Sequence, residues 1–466
     1  MKNYELVILG GGAAAFAAAI KADEYGVRTA MINHGLPVGG TCVNVGCVPS
    51  KYMLHVGEAY FYGRHVPRGI EAPTPRLNFR EVVRGKRRLV EGLRKRKYVD
   101  VASALPSVAL IEGRGAFVSP REVKVDGERI RGDKFIIATG SSPNIIPIPG
   151  IEEVDYLTNV EALELEEPPE SLAIIGGRAL ALEFAQVFAH FGTRVTVLQR
   201  SPRIIPDEEP EISIALRGYL EEEGIDIRTG VAVKAVGKEG EEVWVRAELE
   251  GETETFRAER LLMATGRKPN TSNLGLENAG VELGRGRAVV VDEEMHTSAA
   301  NIWAAGDVVG KPMLETTAAK EGAIAAMNAL RGMGRRMDYS AVPHAVFTSP
   351  QVASVGMTEE EAEKKGYACA CRVVSMEDVP KAVIVGDTRG LVKLVAEAGT
   401  GRIRGVHILA SLAADMIHEA VLAVRLGLTI DDIIDTVHVF PTMTEAVKLA
   451  AQSFRRDIRK MSCCVE

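Results

Sequence analysis

The sequence predicts an α/β chain: two Rossmann-like nucleotide-binding halves followed by a smaller α+β domain. Three observations carry this. Residues 4–33 read as the buried-type strand Leu6-Val7-Ile8-Leu9, the turn Gly10-x-Gly12-x-x-Ala15, an alanine-rich helix to about Tyr25, and a strand from Arg28 to Asn33. A second such unit opens at Leu172-Ala173-Ile174-Ile175-Gly176, and the triplet Ala138-Thr139-Gly140 recurs as Ala264-Thr265-Gly266. Beyond about Ala341 the pattern changes to strands (Ala345–Thr348, Leu391–Ala396, Arg402–Ile408) and then helices (Ala413–Leu426, Thr444–Phe454), an α+β arrangement.

At 466 residues the chain exceeds a single core, so several domains are expected. A composition 46% hydrophobic and 26% charged is that of an ordinary globular protein. The net charge of -7, with no basic cluster interleaved by aromatics, argues against nucleic acid as a partner. Gly10, Gly11 and Gly12 interrupt the apolar run from Leu6 to Ile20, so export is not expected. No segment reaches membrane-spanning length. Six cysteines in so long a chain suit a reducing compartment where single thiols do chemistry, and a cytoplasmic location is expected.

In the first unit the helix N-terminus should receive a pyrophosphate, its positive dipole end and free amides facing the anion. The strand ends at Asn33, where Asp or Glu usually holds the ribose hydroxyls, so weaker ribose capture is expected. Residues 52–100 read as helical and rich in Arg and Lys, a solvated face. Strands around Val108–Val118 and Glu122–Val125 lead to Phe135. In the second unit Arg178 stands where the second glycine belongs, and its bulk should hold the backbone back from a pyrophosphate. The strand Arg194–Leu198 runs into Gln199-Arg200-Ser201-Pro202-Arg203. With no carboxylate for a 2′-hydroxyl and two arginines for a 2′-phosphate, NADPH is favoured over NADH. The segment Asn301 to Asp307 returns to the first domain.

The stretch Gly39-Gly40-Thr41-Cys42-Val43-Asn44-Val45-Gly46-Cys47-Val48-Pro49-Ser50-Lys51 holds two cysteines five positions apart. On an unbroken helix their Cα atoms would lie ~7.5 Å apart on different faces. A disulfide prefers roughly 4.4–6.8 Å, so the backbone must bend, with Gly46 and Pro49 permitting it. A helix starting nearby would lower a thiol pKa. Two structural cysteines in a glycine-rich loop are the alternative. Cys369 and Cys371 alternate along a strand and so share a face; they read as structural.

Together these segments resemble the pyridine nucleotide–disulfide oxidoreductase family over essentially the whole chain. The resemblance implies FAD on the first fingerprint and NAD(P)H on the second. It divides the chain into an FAD-binding domain (1–150), an NADPH-binding domain (151–270), a return to the FAD-binding and central domain (271–340) and a dimerisation domain (341–466). Gly10, Gly12, Ala15, Asn33, Gly40, Thr41, Ala116, Thr139, Gly140 and Asp307 would serve FAD. Gly176, Arg200, Arg203 and Gly266 would serve the nicotinamide cofactor. Cys47 would lie against the flavin and Cys42 face the substrate, with Lys51 paired to Glu183 near the flavin N5. A homodimer with active sites at the interface is implied.

Many members carry a motif near the C-terminus that opens His-Pro-Thr and closes on Glu, the histidine protonating a departing thiolate. Here the segment is Phe440-Pro441-Thr442-Met443-Thr444-Glu445, with His438 two residues earlier. A substrate needing no leaving-group proton would not miss the histidine. Ser462-Cys463-Cys464 and Lys448–Phe454 are similar to the mercuric reductase branch, in which a tyrosine often stands at the place of Phe440. That similarity implies Hg(II), arriving as a thiol complex, as the substrate. Cys463 and Cys464 would capture it and Cys42 and Cys47 hold it for reduction to Hg(0). The branch's frequent N-terminal metal-binding domain is not expected, the first strand opening at Tyr4. A disulfide reductase of the lipoamide, glutathione or thioredoxin type, and a non-catalytic metal-buffering flavoprotein, are the alternatives.

Overall fold

The computed structural model describes residues 2–64, 69–71, 73–310 and 312–462. Its first sheet forms around Lys2–Leu9, whose last four residues are wholly apolar and buried. Such a strand needs cover on both faces, which parallel neighbours and crossover helices supply. It lies between Thr29–Asn33 and Glu128–Ile137, in register Leu9↔Ile32 and Leu9↔Ile137. The strand Ile302–Ala304 joins the same sheet beside Phe135–Ile137, so the chain does return to the first unit after the second. Helix Ala13–Glu24 packs on helix Glu315–Arg331 at a distance only small residues allow. A Cβ on Gly322 would fall 2.1 Å from the Ala14 carbonyl.

The second unit is a four-stranded parallel sheet in the order Asp226–Thr229, Arg194–Gln199, Ser171–Ile175, Arg260–Met263. Three antiparallel strands between 232 and 258 extend it. The antiparallel pair Ser141–Pro143 and Arg267–Pro269 carries the chain out to this unit and back. The C-terminal sheet is antiparallel, ordered His344–Val346, Gln351–Gly356, Ile403–Ala410, Leu391–Glu397, Cys369–Ser375. One face packs on helices Ala413–Leu426 and Glu445–Gln452 through Val374, Leu394, Ile408, Ile417 and Val447.

Three expectations change. The segment read as one strand from Val108 to Val118 is two, Val108–Glu112 and Gly115–Ser119. The break is Gly113 at φ +147, where a Cβ would meet Asp126 at 2.5 Å. The basic helical stretch is interrupted as well. A helix runs Cys47–Tyr62, residues 73–78 with Pro73 and Pro75 are not helical, and Asn78 caps a second helix, Phe79–Arg94.

The third is the solvated face, which fails at one residue. Lys86 is 1% exposed, donating to the Leu163 carbonyl and pairing with Glu164 at 2.5 Å. It pins this helix to Asn159–Glu164 at the edge of the second unit. Periodicity puts a lysine there on the inner face; only its acceptors make that tolerable. Replacing Lys86 by methionine keeps the stem but orphans the carbonyl, so stability should fall by about 1–3 kcal/mol. A urea unfolding midpoint unchanged by Lys86→Met would contradict this.

Candidate active site

Glycines build the first half of the site. Gly10 holds φ +136, and a Cβ there would stand 2.1 Å from the Ala138 carbonyl. Gly40, at φ +65, brings its backbone so near Gly12 that a Cβ would meet the Gly12 Cα at 2.8 Å. Helix Ala13–Glu24 begins at Gly12 without a side-chain cap, so its first amides remain available to an anion. These groups open on a cavity of about 990 Å³ that also takes in Asn33, Thr41, Thr139, Gly140 and Asp307. An uncapped helix start inside a bare backbone cradle fits the pyrophosphate of FAD.

Two expected contacts stand off this wall. Ala15 is fully buried in the helix–sheet packing, where the third fingerprint position needs a small residue rather than a ligand contact. Ala116 pairs with Lys124 inside its hairpin; the turn at Gly113 presents Gly113, Arg114 and Gly115 to the cavity instead. Asn33 is not alone at the strand end. Its amide donates to the Leu36 carbonyl at 3.0 Å and to Glu112 at 3.2 Å. The register pair Asn33↔Glu112 thus brings a carboxylate to the place where the strand itself lacks one. Sequence reading missed Glu112, whose only signal is this pairing.

The two cysteines flank the expected bend. Helix Gly40–Val45 stops, Gly46 leaves helical geometry at φ -127 and ψ -116, and Cys47 opens the 16-residue helix Cys47–Tyr62. A side chain at Gly46 would press on the Thr41 carbonyl at 2.9 Å. Pro49 takes no part in the bend; it lies in the first turn, where its missing N–H costs nothing. Both thiols are free. Cys42 donates to Cys47, and this hydrogen bond is the main reason Cys47 titrates below an ordinary thiol, with the Lys51 charge assisting. The same bond, with burial, drives Cys42 far above. This hydrogen bond makes the two thiols unequal, with Cys47 the readier of the two to ionise.

Around the pair stand groups brought from far along the chain. Lys51 Nζ lies 2.6 Å from Glu183 Oε2. Tyr98 donates to Glu315 at 3.2 Å, and the Glu315 carboxyl lies close to both thiols. Burial holds the Glu315 carboxyl above its ordinary value. Ser141 donates to Asp307 at 2.5 Å and Arg267 donates to Ser141 at 2.7 Å, closing the ring beside Thr41. Neither Tyr98 nor Glu315 belongs to a motif, so neither was expected here.

The second fingerprint repeats the first. Gly176 holds φ +127, with a Cβ 2.3 Å from the Ala264 carbonyl, and Gly177 abuts Gln199 as Gly11 abuts Asn33. Arg178 has φ -101 and ψ -175, against -96 and -166 at Gly12. The backbone is thus undisturbed, contrary to the expectation that bulk would hold it back. Its side chain is tethered to Asp207, with the charge of Arg200 close by. Arg203 lies further on, its carbonyl accepting from Gln199. Gly266, at φ +100, serves the strand crossing by accepting from the Asn144 amide.

At the C-terminal end Phe440 is exposed, and His438 is engaged by Glu419 at 2.6 Å and by the Thr436 carbonyl. Glu445 keeps its place, but its Oε2 is buried without a hydrogen-bond partner and burial raises its pKa. The expected pair Cys463 and Cys464 lies outside the described residues.

Residues 4–322 match the pyridine nucleotide-disulphide oxidoreductase family and residues 342–451 its dimerisation domain. The chain is 43% identical to a mercuric reductase of Staphylococcus aureus, covering 99% of this chain and 84% of that protein. It is 44% identical to one of Streptomyces lividans, covering 99% and 98%. Among solved structures it is similar to the Cu(II) complex of the HOCl-induced flavoprotein disulfide reductase RclA of Escherichia coli, with a TM-score of 0.88, 29% identity and coverage of 97% and 100%. LpdA of Mycobacterium tuberculosis gives a TM-score of 0.86 and 27% identity, over 97% and 100%. The matched family model and these identities show that the chain belongs to the pyridine nucleotide-disulphide oxidoreductases and uses FAD and NADPH.

Proposed function

We propose that the chain reduces thiol-bound Hg(II) to Hg(0) at the expense of NADPH, acting as a homodimer. The observation that carries this reading is Glu445, whose Oε2 is buried without a hydrogen-bond partner while Phe440 stands at the histidine position, in a chain that otherwise keeps the thiol pair. A disulfide substrate leaves as a thiolate and needs an acid. The glutamate that would orient one has no hydrogen-bond partner at its buried Oε2, and the nearby His438 is held by Glu419 instead. A metal ion arrives already carried by thiolates and leaves without a proton. The mercuric reductases at 43% and 44% identity support the same choice.

Bound FAD would supply the two-electron link between NADPH and the thiol-held metal. The balance is Hg(II) + NADPH → Hg(0) + NADP⁺ + H⁺. Cys42, facing the substrate, and Cys47, whose pKa is lowered by the hydrogen bond from Cys42 and by Lys51, together take the ion, the thiol protons leaving as the two Hg–S bonds form. Glu315, whose carboxyl lies close to the thiols, is placed to accept a released proton. Lys51, fixed by Glu183, keeps positive charge beside the pair. Cys463 and Cys464 deliver the metal by ligand exchange, serving the partner chain's Cys42 and Cys47. Arg200, with Arg203 and Arg178 near it, takes the 2′-phosphate of NADPH.

The deciding measurement is NADPH consumption with Hg(II) in excess thiol, beside oxidised glutathione and lipoamide. Turnover is expected with the metal and little with the disulfides, while Phe440→His, by giving Glu445 a partner, should gain disulfide turnover and add little for Hg(II). Robust reduction of either disulfide by the unaltered chain would overturn the reading. For the cofactor, Arg200→Ala should raise KM for NADPH roughly ten- to a hundredfold, as loss of a charge-assisted hydrogen bond implies, and leave NADH nearly unaffected. Equal use of both cofactors by the unaltered enzyme would contradict that assignment. Changing Cys463 and Cys464 to alanine should spare flavin reduction by NADPH but slow turnover of Hg(II) on bulky thiols more than on halide. A defect independent of ligand size would remove the tail from the delivery route.

A further inference from the structure

Two thiols stand apart from this site. Cys369 and Cys371 lie on Cys369–Ser375, the edge strand of the C-terminal sheet, which pairs only with Leu391–Glu397. In antiparallel pairing, residues directly opposite share a face. Cys371 is opposite Val395 and Val373 opposite Lys393, which in turn faces His407 and then Ser354. Both thiols therefore project from the polar face of the sheet. The other face carries Val374 into the core, and its Arg372 donates to the Ser453 carbonyl.

That polar face has more acid than base. Lys393, 2% exposed, is held by Glu209 at 2.9 Å, Glu211 at 2.9 Å and Glu359 at 2.7 Å. Glu359 also accepts from the Cys371 thiol, whose pKa burial and this bond push up to about 12. Cys369 is raised too, mainly by burial. Both thiols are free, protonated and partly open to solvent.

We propose that Cys369 and Cys371 form a two-coordinate binding site for a soft, thiol-seeking cation such as Hg(II), separate from the redox pair. Strand residues two apart stand roughly 6.6–6.8 Å from Cα to Cα, with parallel side chains. A disulfide prefers ~5.5–6 Å and converging Cβ atoms, so direct bonding of the two sulfurs is disfavoured. A cation lying between two parallel thiolates has no such requirement. Among the described residues no group of three or more His, Cys, Asp or Glu side chains is placed to hold a metal. Two sulfurs suit a soft cation content with two thiolates better than zinc, which takes four ligands. Loading is pure exchange. The carrier complex Hg(SR)₂ loses two Hg–S bonds and the protein gains two. The protons of Cys369 and Cys371 leave on the two departing thiols, and nothing is oxidised or reduced. The surplus carboxylates favour the approach of a dication.

The test uses the full-length FAD-loaded protein without NADPH, so it does not depend on the reduction reading. Protein is treated with Hg(II), desalted through buffer containing free cysteine, and its mercury per chain measured by mass spectrometry. The double variant Cys369→Ser/Cys371→Ser should retain one Hg(II) per chain fewer than the unaltered protein, and either single variant should lose as much. A chain with serine at positions 42, 47, 463 and 464 should still retain one Hg(II) and, offered Zn(II), none. The proposal fails if the double variant carries as much mercury as the parent, if the four-serine chain retains none, or if it holds zinc. Because the two arms change different residues, a folding defect in one leaves the other decisive.

Discussion

The ion pair between Lys51 and Glu183 holds the molecule to its working shape. Glu183 Oε2 takes the lysine at 2.6 Å while its Oε1 accepts the Phe347 amide at 3.0 Å, and the lysine stands 4.5 Å from the Phe347 ring centre. One buried carboxylate thus ties the helix bearing Cys47, the helix of the second nucleotide unit and the first strand of the C-terminal domain. Breaking such a pair by removing one partner strands a charge out of water, at a cost of about 3–5 kcal/mol. The same helix continues the junction: Gln186 exchanges hydrogen bonds with both backbone groups of Ser349, and His190 pairs with Glu223 at 3.0 Å. Positions 183, 186 and 190 fall on one helical face, so a polar stripe in an otherwise apolar helix is buried and satisfied.

The two nucleotide units answer one backbone problem in nearly the same way. At Gly10 and Gly176 a positive φ and the close approach of a carbonyl leave no room for a side chain. At Gly12 and Arg178 the backbone is extended and any residue is permitted. The two units differ there and at the strand ends, Asn33 and Gln199, positions where the fold constrains the side chain less than the backbone. Constraint from the fold and freedom for the ligand are separated by two residues.

The redox pair depends on unequal environments for two equal side chains. Cys47 begins a helix beside Lys51, while Cys42 lies within the short helix Gly40–Val45 and donates its hydrogen bond to Cys47. The hydrogen bond from Cys42 lowers the Cys47 pKa and raises that of Cys42, and the Lys51 charge adds to the lowering. Cys369 and Cys371 lack this asymmetry. Both lie among carboxylates on a regular strand and both keep their protons.

The sequence by itself determined what a few neighbouring residues decide. The two glycine turns, the bend at Gly46, the alternation at Cys369 and Cys371, and helix Ala413–Leu426 all follow from local sterics and periodicity. The Lys51–Glu183 pair, 132 residues apart, was legible only because both ends belong to motifs. Tertiary structure alone decided the partners that no motif marks. Glu112 reaches Asn33 across 79 positions, Tyr98 meets Glu315 across 217, and Lys86 is buried because Leu163 and Glu164 come to meet it. The physical reason is the same in each. Periodicity says which way a side chain points, but whether a charge can be buried there depends on an acceptor supplied by another part of the chain.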